Sequence, residues 1–176
     1  MAIHNVGLMR IRTLEPSDVE LFYSFRLRGL RENPEAFGST FAEESVMPAE
    51  VRRSRFHCTD ENFVLGAFGE DSQLIGVAGF YRATHLKLRH KGFVWGMYVS
   101  PESRGRGVGR ALLSSLIERG KSLPGLEQIC LDVVTVNEAA RSLYLSQGFQ
   151  IYALEMEAMK QDGEYYDVEH MVLRLE

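Results

Sequence analysis

The chain has 176 residues, 45% hydrophobic and 25% charged, the composition of one globular domain over residues 1–176 whose core needs no disulfide or metal staple. Lys and Arg number 20 against 24 Asp and Glu, a formal charge of −4, so the overall field repels nucleic acid and a polyanion must bind a local patch. No stretch approaches the ~20 consecutive apolar residues of a membrane span, and 16 Gly with 5 Pro is far from a low-complexity composition.

In chain order, LMRIRTL alternates Leu8, Arg10, Arg12 and Leu14 against Met9, Ile11 and Thr13, a short strand with one buried face. Pro16-Ser17-Asp18 then caps a helix with Val19, Phe22, Tyr23 and Leu27 at helical spacing, stopped by Asn33-Pro34. A loop and a polar helix from about Ser45 to Arg55 follow. NFVLGAFGE and QLIGVAGFYRATH read as two strands around the turn Glu70-Asp71-Ser72, and FVWGMYV as a third. Val108, Leu112, Leu113, Leu116 and Ile117 share one helical face, closed by Gly120 and Pro124-Gly125. After the strand QICLDVV, a helix from Asn137 to about Gln147 buries Ala140, Leu143 and Tyr144. FQIYALEM and YYDVEHMVLRL close the chain as strands around Gln161-Asp162-Gly163.

These are seven strands. The unit from Phe93 to Val134 is long enough for a crossover that leaves its two strands parallel, whereas the flanking hairpins are antiparallel. The expected fold is therefore mixed α/β, a three-layer α/β/α sandwich on a mixed, mostly antiparallel sheet, with any ligand where parallel strands meet a helix N-terminus. Cys58 and Cys130 form no CxxC pair and MAIHNVGLMRIRT lacks the apolar run of a secretory leader, so a reducing, cytoplasmic setting is expected.

The most informative segment is VSPESRGRGVGRALL. Glycines let a backbone approach a phosphate, the first-turn N–H groups of a helix lack internal partners, and the helix dipole adds positive potential there. Arg104, Arg106 and Arg110 strengthen that cradle for a diphosphate; the bland alternative is a helix cap with solvated arginines. A phosphate-binding Walker loop needs Gly-Lys before Ser or Thr, but Gly109 precedes Arg110 and Ala111. A dinucleotide fingerprint needs GxGxxG, and Gly105, Gly107 and Gly109 are spaced GxGxG.

With Arg104, Gly107 and Gly109 at the spacing Arg-x-x-Gly-x-Gly after the strand MYV, and with NEAARSLYLSQGF downstream fitting NxxAxxLYxxxGF, the sequence resembles the GNAT superfamily of acyl-CoA-dependent N-acyltransferases. The resemblance is densest from about Val94 to Phe149. It implies acetyl-CoA as co-substrate, a primary amine on a small molecule or peptide as acceptor, no metal, and compatibility with a homodimer.

The resemblance further implies that Arg104, Gly105, Arg106, Gly107, Val108, Gly109 and Arg110 hold the pyrophosphate, mostly through backbone N–H groups. Met97, Tyr98 and Val99 would pair with the pantetheine arm as a neighbouring strand would, the side chains of Met97 and Val99 being core. Asn137 is either a helix cap or a partner of that arm, and both roles can coexist. Tyr144 is either the proton donor to the departing thiolate or a core tyrosine. Asp132 stands where some members that modify protein N-termini carry a glutamate base; an arginine or backbone partner would instead make it structural.

Glu43, Glu44 and Glu169 are alternative bases, each also readable as solvated surface, with Tyr81, His85 and His90 as further candidates. Cys130, with no histidine near it in sequence, reads as an inert buried thiol. Two other functional classes stay open at this level: a non-catalytic acyl-CoA sensor, and a nucleotide enzyme using the same turn.

Overall fold

The computed structural model describes residues 4–6 and 9–175; Leu8, expected to open the first strand, lies outside them. All seven expected strands are present: β2 (Met9–Thr13), β3 (Asn62–Phe68), β4 (Leu74–Arg82), β5 (Lys91–Val99), β6 (Gln128–Val134), β7 (Gln150–Gln161) and β8 (Glu164–Arg174). A short additional strand, β1 (His4–Val6), pairs with β2 and makes the sheet eight-stranded, in the order β1-β2-β3-β4-β5-β6-β8-β7. β5 and β6 run parallel and the other described neighbours antiparallel.

Helices cover both faces. On one, α4 (Val108–Lys121) buries Val108, Leu112, Leu113, Leu116 and Ile117 against Phe80, Ile129 and Leu131, joined by Tyr144 of α5 (Glu138–Ser146). On the other, α1 (Val19–Glu32) packs Phe22, Tyr23 and Phe25 on Val64, Val77 and Tyr98. Leu27, expected in that face, is only half-buried, because the helix instead turns Phe25 and Gly29 onto the Tyr98 ring. In α5 Tyr144 alone is fully buried; Ala140 and Leu143 are half-buried at the cluster's edge.

The polar helix expected from Ser45 to Arg55 is two shorter ones, α2 (Phe41–Ser45) and α3 (Ala49–Arg55). Thr40 and Glu43 form a reciprocal capping box that starts α2 early. Pro48 lacks the N–H needed to continue that helix and instead caps the start of α3.

One irregularity positions everything that follows. Gly96 takes φ +59, a left-handed conformation that suits glycine, and the β4–β5 register shifts nearby, between Val77 and Gly79. The extra residue resets the alternation: Val94, Met97 and Val99 pack on the α4 side, while Trp95 and Tyr98 pack on the α1 side. Pairing of β5 with β6 ends at Phe93 opposite Cys130, although β5 runs on to Val99 and β6 to Val134. The two central strands therefore part company halfway along.

Candidate active site

β5 leads through the turn Pro101–Ser103 into Arg104, and α4 starts at Val108 behind Gly107, whose φ of +80 lets the chain fold back under the helix N-terminus. The first helical bond is Ala111 N–H to Gly107 O, 2.9 Å. Among the described residues, no backbone carbonyl accepts from the N–H groups of Gly105 to Arg110. This is the unpaired donor set of a helix start, with the dipole's positive end behind it.

The arginines divide. The Arg104 N–H is bound to Pro101 O at 3.2 Å, and its guanidinium donates to Val99 O at 3.0 Å and Asn33 Oδ1 at 2.8 Å. Arg104 lines the cleft beside the turn, and its side chain braces the turn against the end of α1. Arg110 donates to Ser146 Oγ at 3.2 Å. Arg106 is exposed and makes no hydrogen bond or ion pair among the described residues, so its charge is available to an anion on the turn.

The turn opens into a cleft of about 730 Å³ whose walls are the segment Met97–Val99, the loop Asn33–Phe37 and the start of α5. Tyr98 lies in the wall, but its ring is buried against Phe25, its hydroxyl donates to Glu32 and its backbone is paired with Val77 of β4, so its side chain is closed to a ligand and it serves to hold the wall. Asn137 caps α5, its Oδ1 accepting from Ala140 N–H at 3.1 Å. The cap role is thus occupied by the oxygen, and the Nδ2 donors remain for the cleft. A larger groove, about 1220 Å³, lies on the other flank of α4; Glu70, Asp71, Glu102 and Glu118 line it together with Arg28, Arg106 and Arg110, but Tyr144 and Asn137 do not. The smaller cleft joins the glycine turn to Tyr144 and Asn137, so it is the one that fits a ligand spanning from a diphosphate to a reacting end.

At the cleft's inner end Tyr144 donates to Met97 Sδ at 3.6 Å, and burial pushes its phenol up to about 12. It therefore keeps its proton throughout the neutral range. Beyond it, a cavity of about 80 Å³ occupies the gap between the diverging strands, bordered by Phe37, Trp95, Met97, Asp132 and Tyr144. Its roof is the loop after α1, fixed by Arg26, which donates to Glu44 at 2.7 and 2.6 Å and to Ser39 Oγ at 2.9 Å while lying over Trp95 and Phe37.

The structure sorts the candidate bases. Glu43 accepts from Thr40 to close the α2 cap. Glu44 is buried; burial alone would raise its carboxyl, but hydrogen bonds from Arg26 and Ser39 outweigh that and hold it below its ordinary range. Glu169 is tied to Arg141 at 2.7 Å. His85 and His90 sit in the β4–β5 connection, at the far end of β5 from the glycine turn. Cys130 is buried, which raises its thiol and suppresses the thiolate.

Asp132 keeps an exposed side chain on the opposite face of β6 from Leu131 and Val133, and its partner is neither an arginine nor the backbone. Its Oδ1 lies 2.7 Å from His170 Nδ1, and His170 Nε2 lies 3.2 Å from Glu155 Oε2. Tyr81, stacked on Phe93, and Tyr152, against His170, stand beside this group. His170 and Glu155 carry no sequence signal of their own: the antiparallel register places His170 opposite Asp132 and next to β7.

A family model described as the Acetyltransferase (GNAT) family matches residues 29–149. Among curated proteins, an uncharacterized N-acetyltransferase of Bacillus subtilis, YoaA, is 33% identical over 98 residues, 56% of this chain and 54% of that protein, so the match spans about half the relative's length. Among solved structures, an acetyltransferase of the GNAT family from Streptococcus pneumoniae superposes with TM-score 0.84 at 24% identity, covering 95% of this chain and 99% of that one. A GNAT superfamily phosphinothricin acetyltransferase from Sinorhizobium meliloti, solved in complex with AcCoA, gives 0.81 at 22% identity over 96% of this chain and 89% of that one. At these identities the two structures establish the architecture, and the family model, which spans more than half of the sequence and includes the glycine turn and α5, establishes descent: the chain belongs to the GNAT family of acetyltransferases.

Proposed function

We propose that the chain is an acyl-CoA-dependent N-acyltransferase that moves acetyl from acetyl-CoA to a primary amine by direct attack within a ternary complex. The observation that carries this reading is a single continuous cleft. Unpaired N–H groups lie at its mouth, the Met97–Val99 segment of β5 along its wall, and Tyr144 at its inner end, which also borders the small cavity next to β6.

The residues fit the co-substrate. Gly105 to Arg110 offer backbone donors to a diphosphate, with Arg106 on the same turn, and the segment Met97 to Val99, no longer paired with β6, faces the two amides of a pantetheine arm, with Val99 O already accepting from Arg104. Gly109 admits little else, since a Cβ there would come within 3.2 Å of Leu143. The thioester supplies an activated acyl group; the protein supplies position. The 80 Å³ cavity under Phe37 and Trp95 suits a short acyl group next to the Tyr144 hydroxyl. That hydroxyl donates to the sulfur as charge develops there, and Asp132, the candidate carboxylate bound by neither an arginine nor a helix cap, receives the amine's proton.

The acceptor, a small molecule or a peptide amine, docks on the sheet face around Asp132. The same reading places the protein in the cytoplasm, where Cys58 and Cys130 stay reduced. It includes a homodimer. β7 is an edge strand that leaves Tyr152 61%, Leu154 55% and Met156 74% exposed, a strip a second copy would cover. Sedimentation equilibrium is expected to give twice the chain mass, and Leu154→Arg the monomer.

Incubation with acetyl-CoA and a panel of polyamines, amino acids, aminoglycosides and peptide N-termini, read by mass spectrometry, is expected to give one acetylated class. Tight CoA binding with no acetylated product would identify a sensor instead. Calorimetry is expected to show CoA binding well ahead of ATP; the reverse order would favour a nucleotide enzyme. Gly107→Glu puts a side chain on a left-handed residue, a strain of roughly 1–2 kcal/mol, and a negative charge beneath the diphosphate. CoA affinity is expected to fall at least ~100-fold while circular dichroism shows a folded protein. Tyr144→Phe is expected to slow turnover by ~10- to 100-fold with CoA affinity within about twofold; unchanged turnover would remove Tyr144 from the reaction.

A further inference from the structure

The Asp132–His170–Glu155 row crosses three adjacent strands, β6, β8 and β7, on the face of the sheet proposed to receive the acceptor. Building on the acetyl-transfer reading, we infer that His170 is a positioning residue for the amine: it fixes Asp132 through Oδ1 and, by its own charge, sets the pH range in which the free Oδ2 takes up the acceptor's proton.

Three observations carry this. Asp132 Oδ1 is held at 2.7 Å, and Oδ2 has no protein partner among the described residues. Asp132 also borders the cavity that Met97 and Tyr144 border, so this carboxylate stands between His170 and the proposed site of transfer. Finally, His170 is three-quarters buried while both its carboxylates are mostly exposed, 66% for Asp132 and 59% for Glu155. A histidine placed between two open carboxylates is a charge fixed from below, with its partners facing the solvent from which an ammonium arrives.

The groups at the imidazole are Asp132 from β6 and Glu155 and Tyr152 from β7; Tyr81 from β4 and Cys130 from β6 face Asp132, and Lys91 from β5 and Arg174 from β8 face Cys130. The Asp132 hydrogen bond is the largest influence on His170, and with Glu155 it outweighs burial, raising the imidazolium above its ordinary range. The sign follows directly. Below that raised value the row carries one net negative charge; above it, with neutral imidazole still donating from Nδ1 to Asp132, it carries two. A cationic amine is drawn more strongly to the second state, and a carboxylate without a neighbouring imidazolium is the better proton acceptor.

The transfer step balances. The acceptor arrives as R–NH3+ and gives one proton to Asp132 Oδ2. The freed lone pair forms the C–N bond to the acyl carbon, and the C–S bond breaks with its electrons going to sulfur. A second N–H proton reaches sulfur by way of the Tyr144 hydroxyl, and Asp132 returns its proton to water. The net products are amide, thiol and one proton.

Two measurements test this. NMR titration of the histidine ring signals in the intact protein is expected to place His170 above the usual value of about 6.5, and Asp132→Asn to bring it down. Turnover of whichever amine the acceptor screen identifies is then followed against pH for wild type and His170→Gln, which keeps an N–H donor but cannot titrate. In the ratio of wild-type to variant turnover the ionisation of the amine cancels. That ratio is expected to climb about tenfold, with its midpoint at the NMR value of His170. A flat ratio, or a His170 titration at its usual value that ignores Asp132→Asn, overturns the inference while leaving acetyl transfer intact. Transfer to no amine at all would strike the acetyl-transfer reading, and this inference with it.

Discussion

The organising constraint is the parting of β5 and β6. A buried peptide group without a partner costs about 1–3 kcal/mol, so adjacent strands normally stay paired over their common length. Here the parallel ladder covers Lys91 to Phe93 and then stops, with Gly96 bending β5 out of register. Beyond Phe93 the facing strand edges no longer pair with each other, Val99 O turning instead to the Arg104 guanidinium, and in the proposed function an extended ligand bearing amides pairs along the opening as another strand would. The rest of the site depends on that opening. Its outer end delivers the chain to the glycine turn, its inner end admits the Tyr144 hydroxyl, and its far side exposes Asp132.

The two ends of the opening have opposite electrostatic character, which suits the proposed reaction between a polyanionic donor and a cationic acceptor. Backbone donors, a helix N-terminus and Arg106 mark one end; Asp132 and Glu155 mark the other. Between them the loop after α1 is locked by a nearly buried pair, Arg26 with Glu44. Such a pair is a poor source of net stability, because desolvation offsets most of the attraction, but removing one partner strands the other charge and costs about 3–5 kcal/mol. Its value here is geometric. Through Arg26 the loop is fixed against Trp95 and Phe37, and the small cavity keeps its shape.

Sequence periodicity revealed nearly all of the framework, because the core faces are written in strong local patterns. Val108, Leu112, Leu113, Leu116 and Ile117 announce α4 without ambiguity, and every one is buried. The failures have local causes too. Thr40 and Glu43 started a helix where only a loop was expected, and Pro48 divided the next one. The glycine turn and Tyr144 could be singled out because they lie in contiguous motifs. Position in a motif does not say where a guanidinium points: Arg104 lines the cleft, but its side chain donates to Val99 O and Asn33 Oδ1. His170 was illegible because its meaning comes from register alone, through a partner 38 residues away on a neighbouring strand. Asp132 stood out as a carboxylate among apolar residues; what it faced required the fold.

Burial of Tyr144 also constrains the chemistry. Its phenol is pushed up to about 12, so it holds its proton in the neutral range. In apolar surroundings a hydroxyl's hydrogen bond to an atom acquiring negative charge is strengthened, which suits the donor role proposed for Tyr144. In the proposed transfer a proton given by Tyr144 to sulfur is replaced from the amine nitrogen, which becomes strongly acidic once it has bonded to the acyl carbon. Under that proposal Tyr144 is a conduit between two atoms held side by side, and the protein's main contribution is to hold them so.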